Sequence, residues 1–173
     1  MARTAGQETS SRPGYIGYQG SYWDAEREQG FRAGLAAHGI ADGGAGLLRV
    51  DNDASDRARI RSFIASVRPD AVLTGSDKIA VTVYNAAAEL NLSIGRDLAV
   101  AGFDGSAGTE LLLPALASVV IPVDDIARRV VGRALRQVEN GEDSGPGDIV
   151  PARLRPGGSI PAQLRPEADG RRQ

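Results

Sequence analysis

Asp104 ends an apolar run, Leu98-Ala99-Val100-Ala101, that continues through Gly102-Phe103, and Gly105-Ser106 follow it at once. A carboxylate at the end of a buried strand can accept hydroxyl protons, each charge-assisted bond contributing about 1.5–3 kcal/mol. The same residues also suit an aspartate that only closes a tight Asp-Gly turn. A second polar turn, Gly75-Ser76-Asp77, follows the apolar run Ala71-Val72-Leu73, a run of the kind buried on both faces of a parallel sheet. Asp77 stands where the N-cap of a helix carrying Ile79, Val83 and Leu90 belongs. If the two runs are parallel strands, the two turns share one sheet edge and face one crevice, where α/β proteins hold ligands.

Arg27 lies four residues from both Trp23 and Phe31, so a helix would set its guanidinium among aromatic rings. A surface arginine paired with Glu26 or Asp24 is the alternative. Trp23 is placed equally well against a sugar ring or as a core or interface residue. Carboxylates, guanidinium and an aromatic plate are the groups that recognise a sugar, which offers hydroxyls and an apolar ring face.

Other chemistry is poorly provided for. The chain has no cysteine and one histidine, His38, which argues against disulfides, thiol chemistry, Cys-based zinc sites and a His-dependent triad. His38 is better placed as a helix C-terminal cap. Asp42-Gly43-Gly44-Ala45-Gly46 precedes a strand and lacks the Gly-Lys-Ser/Thr ending of a phosphate loop. No metal site and no cofactor is expected. Twenty basic and twenty-two acidic side chains leave a net charge of −2, so no global basic field points to nucleic acid. The arginines of the tail, Arg165, Arg171 and Arg172, read as solvated. The first residues lack the apolar stretch of a signal peptide, and no eighteen apolar residues run together, so a soluble cytoplasmic protein without membrane contact is expected.

The elements that would position these groups alternate. Strands are predicted at Tyr15 to Tyr18, Leu47 to Val50, Ala71 to Thr74 and Leu98 to Phe103, with helices at Tyr22 to His38, Ser55 to Val67 and Lys78 to Leu90. Such βαβ alternation requires parallel strands with right-handed helical crossovers, hence an α/β doubly wound parallel sheet. A short segment, Thr109 to Leu113, stops at Pro114. A strand Ser118 to Ile121, a helix from Pro122 to Asn140-Gly141 and a last strand Ile149 to Leu154 complete the chain. The long helix carries Val123, Ile126, Ala127, Val130, Val131, Ala134, Leu135 and Val138 on one stripe. Residues 1–13 read as a disordered leader, 14–160 as the folded part and 161–173 as a flexible tail.

The pattern Pro69-Asp70-Ala71 through Ser76-Asp77, followed by Asp97-Leu98-Ala99-Val100-Ala101-Gly102-Phe103-Asp104, resembles the sugar-binding core of the lactose/galactose-repressor (LacI/GalR) family of bacterial transcription regulators. Pro114-Ala115-Leu116-Ala117-Ser118-Val119-Val120-Ile121-Pro122, Tyr15-Ile16-Gly17-Tyr18 and Arg27 to Leu35 match further family segments in order and spacing. The resemblance covers about Pro13 to Ile160. It implies a periplasmic-binding-protein-like fold of type I, mainly its C-terminal lobe, with the helix-turn-helix and first lobe outside this chain. It assigns effector contacts to Asp104, Arg27, Ser76, Trp23, Ser21 and Asn52. Ser76 replaces the family's usual asparagine, Asn52 stands where an aromatic is common, and Ile121 where glutamine is frequent. The implied partners are a small sugar-like effector and a second subunit meeting Tyr84, Leu111, Leu112 and Leu113, which ordinary core packing would also explain. DNA would be reached only through the region outside the chain. The helix from Val123 would belong to the first lobe, so about 7 kcal/mol of apolar burial would go unrealised here. A transporter's sugar-binding component, a small α/β enzyme and a remnant without function are the rival readings.

Overall fold

A computed structural model describes residues 12–40, 46–51, 53–140 and 147–161. The elements run β1 (Pro13–Tyr18), α1 (Tyr22–Ala37), β2 (Gly46–Val50), α2 (Asp56–Val67), β3 (Ala71–Thr74), α3 (Asp77–Glu89), β4 (Ala99–Asp104), β5 (Ala117–Val120), α4 (Val123–Asn140) and β6 (Arg153–Arg155), with a short 3-10 turn at Thr109–Leu111. One six-stranded sheet has the order β2-β1-β3-β4-β5-β6. Its first five strands are parallel and β6 runs antiparallel to β5. The doubly wound parallel sheet expected from the alternation is therefore present.

Chain direction reverses beside β1. The crossover through α1 goes outward to β2, and the later crossovers go the other way through β3 and β4. With right-handed crossovers this puts α1 on one sheet face and α2 and α3 on the other. The face under α2 and α3 is the core. Ile16, Val50, Val72, Val100 and Leu116 meet Ile60, Phe63, Ile64, Ile79 and Val83 there. Glycine is required where β1 and β2 pass under α2, because a Cβ at Gly46 would press on Phe63 and Val67. The segment after β6 is locked in as well. Ser159, fully buried, donates from Oγ to the Val100 carbonyl at 2.6 Å and accepts from the Ala117 amide at 2.8 Å.

The two faces are unequal. Ala71 and Leu73, expected to be buried on both sides of the sheet, are only half-buried, because α1 covers β1 and stops short of β3 to β5. Helix α4 packs even less. Val123, Val130, Val131, Leu135 and Val138 are all exposed. Pro13, read as the end of the leader, is the first residue of β1 and pairs with Ala71. The last strand is shorter than the predicted Ile149 to Leu154, and Ile149 is exposed outside it. Leader residues 1–11 and tail residues 162–173 lie outside the described residues.

Candidate functional site

The carboxyl ends of β1, β3 and β4 meet at the point where strand order reverses, the position at which open α/β sheets bind ligands. Helix α1 begins there, capped by Ser21, whose hydroxyl accepts from the Asp24 amide at 3.4 Å. One turn in, Arg27 reaches across the strand ends. Its Nη1 donates to the Gly75 carbonyl at 2.5 Å and lies 3.2 Å from Asp104 Oδ1. Its guanidinium carbon sits 4.5 Å from the Trp23 ring centre and 3.8 Å from that of Phe103. Arg27 thus pairs with neither Glu26 nor Asp24, but is gripped between two aromatic rings and aimed at the aspartate that ends β4.

Asp104 is partly exposed, and its backbone is at φ 111°, in the region that favours glycine. Burial pushes its carboxyl above the ordinary aspartate range, Arg27 pulls it back, and the nearby charge of Asp77 raises it again. It therefore does more than close its turn: it faces the Arg27 guanidinium at the mouth of the cleft.

Ser76 stands next to Gly75 and is buried. Its hydroxyl accepts from the Ile79 amide at 3.3 Å and donates to the Tyr18 phenol oxygen at 3.2 Å. Ser76, not Asp77, is the N-cap of α3, because its extended backbone turns Oγ onto the first turn while Asp77 is already helical. Asp77 is fully buried beneath the two turns. Ser118 Oγ donates to one of its oxygens at 2.6 Å and the Ser106 amide to the other at 2.6 Å. Gly105 donates in turn to Ser118 Oγ at 3.1 Å, so one carboxylate ties α3, β5 and the turn after Asp104 together.

A second buried carboxylate lies under Arg27. Asp24 Oδ1 accepts from the Tyr15 phenol at 3.0 Å, while Oδ2 has no hydrogen-bond partner. Glycine is needed on both sides, since a Cβ at Gly17 or Gly75 would collide with this carboxylate. Burial raises its pKa above the ordinary aspartate value, opposed by the Tyr15 hydrogen bond and the charge of Arg49. A folded-state pKa above the unfolded one means that stability increases as the pH falls from 7 through the raised value, towards about 4. Asp24→Asn keeps an acceptor for Tyr15 and removes the buried charge. Thermal melts are expected to show the variant about 2–4 °C more stable at pH 7, with the difference shrinking towards pH 5. An equal difference at both pH values would contradict this.

Of the residues singled out from sequence, Arg27, Trp23, Ser76 and Asp104 come together at this edge, and Ser21 starts the helix that brings two of them. Asn52 lies outside the described residues. Phe103, Tyr18 and the Gly75 carbonyl were not singled out, although Phe103 directly precedes Asp104 and Tyr18 ends β1. Trp23 is half-exposed and meets Tyr18 edge-on with ring centres 5.6 Å apart. On the far side of α3, the Tyr84 hydroxyl donates to the Pro114 carbonyl at 2.8 Å, and Tyr84 and Leu112 pack against the core. Leu111 and Leu113 stand exposed. His38 occupies the C-cap of α1, as expected. No group of acidic or histidine side chains among the described residues could hold a metal ion.

Comparison with known proteins adds a family. The model of the periplasmic binding protein-like domain matches residues 10–160. Catabolite control protein A of Staphylococcus xylosus is 34% identical over 101 residues, covering 57% of this chain and 30% of the relative. The lactose operon repressor of Rhizobium radiobacter is 32% identical over 95 residues, covering 54% of this chain and 83% of that sequence. Among solved structures, a LacI family transcriptional regulator from Enterococcus faecium with bound ribose superposes with a TM-score of 0.79 at 18% identity, covering 87% of this chain and 57% of that one. The chain spans about a third of the length of the Staphylococcus relative.

Proposed function

The chain belongs to the periplasmic binding protein-like domain family, among the LacI/GalR transcriptional regulators, and from that membership we propose that it is the effector-binding portion of such a regulator, taking a small neutral sugar. The observation that carries the reading is the convergence of Arg27 on Asp104 at the switch point of the sheet, with Trp23 and Phe103 on the guanidinium faces. Asp104 offers acceptor capacity to sugar hydroxyls, and the Trp23 ring offers a plate. Arg27 already has its counter-charge, so a neutral ligand fits better than an acid or a phosphate ester. The ribose held by the Enterococcus regulator is consistent with this class.

Control of transcription in this reading is a population shift. A bound effector changes how two lobes and two subunits sit, and with that the presentation of a DNA-reading region outside this chain. The subunit contact is proposed along α3 and the turn after it. Exposed Leu111 and Leu113 supply its apolar anchors, and Tyr84 and Leu112 support them from behind. The regulators matched here include no enzyme. No helix among the described residues is long and apolar enough to cross a membrane.

Calorimetric titration with a panel of neutral pentoses and hexoses tests the assignment. Saturable binding is expected with the wild type, and Asp104→Ala should weaken it at least about tenfold, the loss of one or two charge-assisted bonds. Affinity should also fall as the pH drops towards the raised pKa of Asp104, where the acceptor becomes protonated. Wild-type affinity retained by the variant would remove Asp104 from the site.

A further inference from the structure

A groove between α2 and α3 belongs to neither the proposed ligand cleft nor the proposed subunit contact. Both helices lie over the same sheet face and are complete among the described residues, so the space between them follows from their own packing. It holds about 440 Å³. Val50, Ile60 and Ile79, all buried, form its floor, and Tyr18 lines it as well. Along one wall run Lys78, Thr82 and Asn85, spaced i, i+4 and i+7 and therefore on one side of α3.

Most of the charged groups around this groove are already engaged. Arg57 pairs with Glu89. Asp56 accepts from the Asp51 and Asp53 amides at 3.1 and 2.9 Å and lies 3.4 Å from Arg59. Asp53 is directed at its own turn, where Oδ1 accepts from the Ser55 amide at 2.7 Å and the Ser55 hydroxyl at 2.6 Å. The Thr82 hydroxyl is turned back onto the Lys78 carbonyl at 3.4 Å. The Lys78 ammonium and the Asn85 side-chain amide have no partner among the described residues, and Lys78 is the one lysine of the chain. A free cation and a free amide above an apolar floor complement a molecule with a carboxylate and an apolar body. A second negative charge on that molecule would meet Asp53 and Asp56, so one is the number that fits.

We propose that the groove is a second small-molecule site, taking a monocarboxylate with an apolar body, and that Tyr18 links it to the proposed ligand cleft. The Tyr18 hydroxyl accepts from Ser76 Oγ at 3.2 Å, and its ring meets Trp23 edge-on with centres 5.6 Å apart. A body packed against Tyr18 therefore presses on two residues of the cleft. Occupation of the groove shifts the affinity of the cleft for its own ligand, and by reciprocity the cleft's ligand shifts the affinity of the groove.

Reductive methylation with carbon-13 formaldehyde labels Lys78 and the α-amino group alone, keeps both charged, and gives Lys78 its own NMR signal. With phenylacetate as the probe, that signal is expected to shift saturably, with half-saturation below about 10 mM, and Trp23 emission should change over the same range. Phenylethanol carries the same body without the charge, and acetate the charge without the body. Each should bind at least about tenfold more weakly by calorimetry. Lys78→Met should weaken phenylacetate about tenfold or more, and so should Thr82→Phe, which fills the groove and keeps the lysine, both with unchanged far-ultraviolet circular dichroism. Acetate bound as well as phenylacetate, wild-type affinity in the Lys78→Met variant, or no saturable shift at Lys78 would overturn the site. A saturable shift at Lys78 with silent Trp23 emission would overturn the link through Tyr18. No sugar enters these measurements, so they fail separately from the sugar assignment.

Discussion

Asp77→Ala is expected to lower the stability of the fold by about 3 kcal/mol, roughly 6–12 °C in melting temperature, although the residue lies beneath the proposed ligand cleft rather than in it. The carboxylate is fully buried and both its oxygens are engaged, one by Ser118 Oγ and the other by the Ser106 amide. Removing it leaves the buried Ser118 hydroxyl and the partly buried Ser106 amide without their acceptor and opens a small void beside Gly102, where a Cβ would already have met Asp77. Asp77→Asn should recover less than half of the loss. Its amide can accept from one partner, but it turns an NH2 group towards the second donor. Thermal and denaturant melts measure both values, and a loss below about 1 kcal/mol would mean that water replaces the carboxylate freely. The turn Gly105-Ser106 is released in either variant, so sugar affinity should fall even where the protein remains folded.

Arg27→Ala should abolish sugar binding, with a loss of at least about a hundredfold, because one substitution removes three things. Asp104 loses its counter-charge, the Gly75 carbonyl loses its donor, and Trp23 and Phe103 lose the plate that spaces them. The stability cost is smaller, about 1–2 kcal/mol, since Asp104 is open enough to water for solvent to screen the pair. Arg27→Lys should not restore binding. An ammonium cannot fill the flat gap between two rings and donate to two oxygens at once. Trp23, the single tryptophan, lies against the guanidinium and gives a direct readout. Its emission should respond to sugar in the wild type and stay unchanged in both variants. A lysine variant that binds normally would show that charge alone matters at this position.

Much of the frame was legible in the residues. Each predicted strand falls within a residue or two of an observed one up to β5, because a parallel sheet uses short apolar runs set between capped helices, and both signals are local. Arg27 was legible for the same reason: a helical period puts it beside Trp23 before anything is known of the fold. The cap of α3 was misplaced by one residue, since Ser76 and Asp77 are both good caps and only the backbone angles choose between them. Asp24, Asp77 and Ser118 were not legible as a support beneath the cleft. Their partners lie on other strands, and a buried carboxylate between glycines looks in sequence like any surface acid. The open sheet face was hidden for another reason. Ala71-Val72-Leu73 reads the same whether one or two layers of helices cover it.

The backbone at Asp104 has a consequence for how this protein could change. At φ 111° a glycine would rest without strain, whereas a side chain there costs about 1–3 kcal/mol. A lineage rewarded only for surviving heat has an easy improvement at that position, and taking it would erase the carboxylate that faces Arg27. Endurance and sensing therefore pull on one codon in opposite directions.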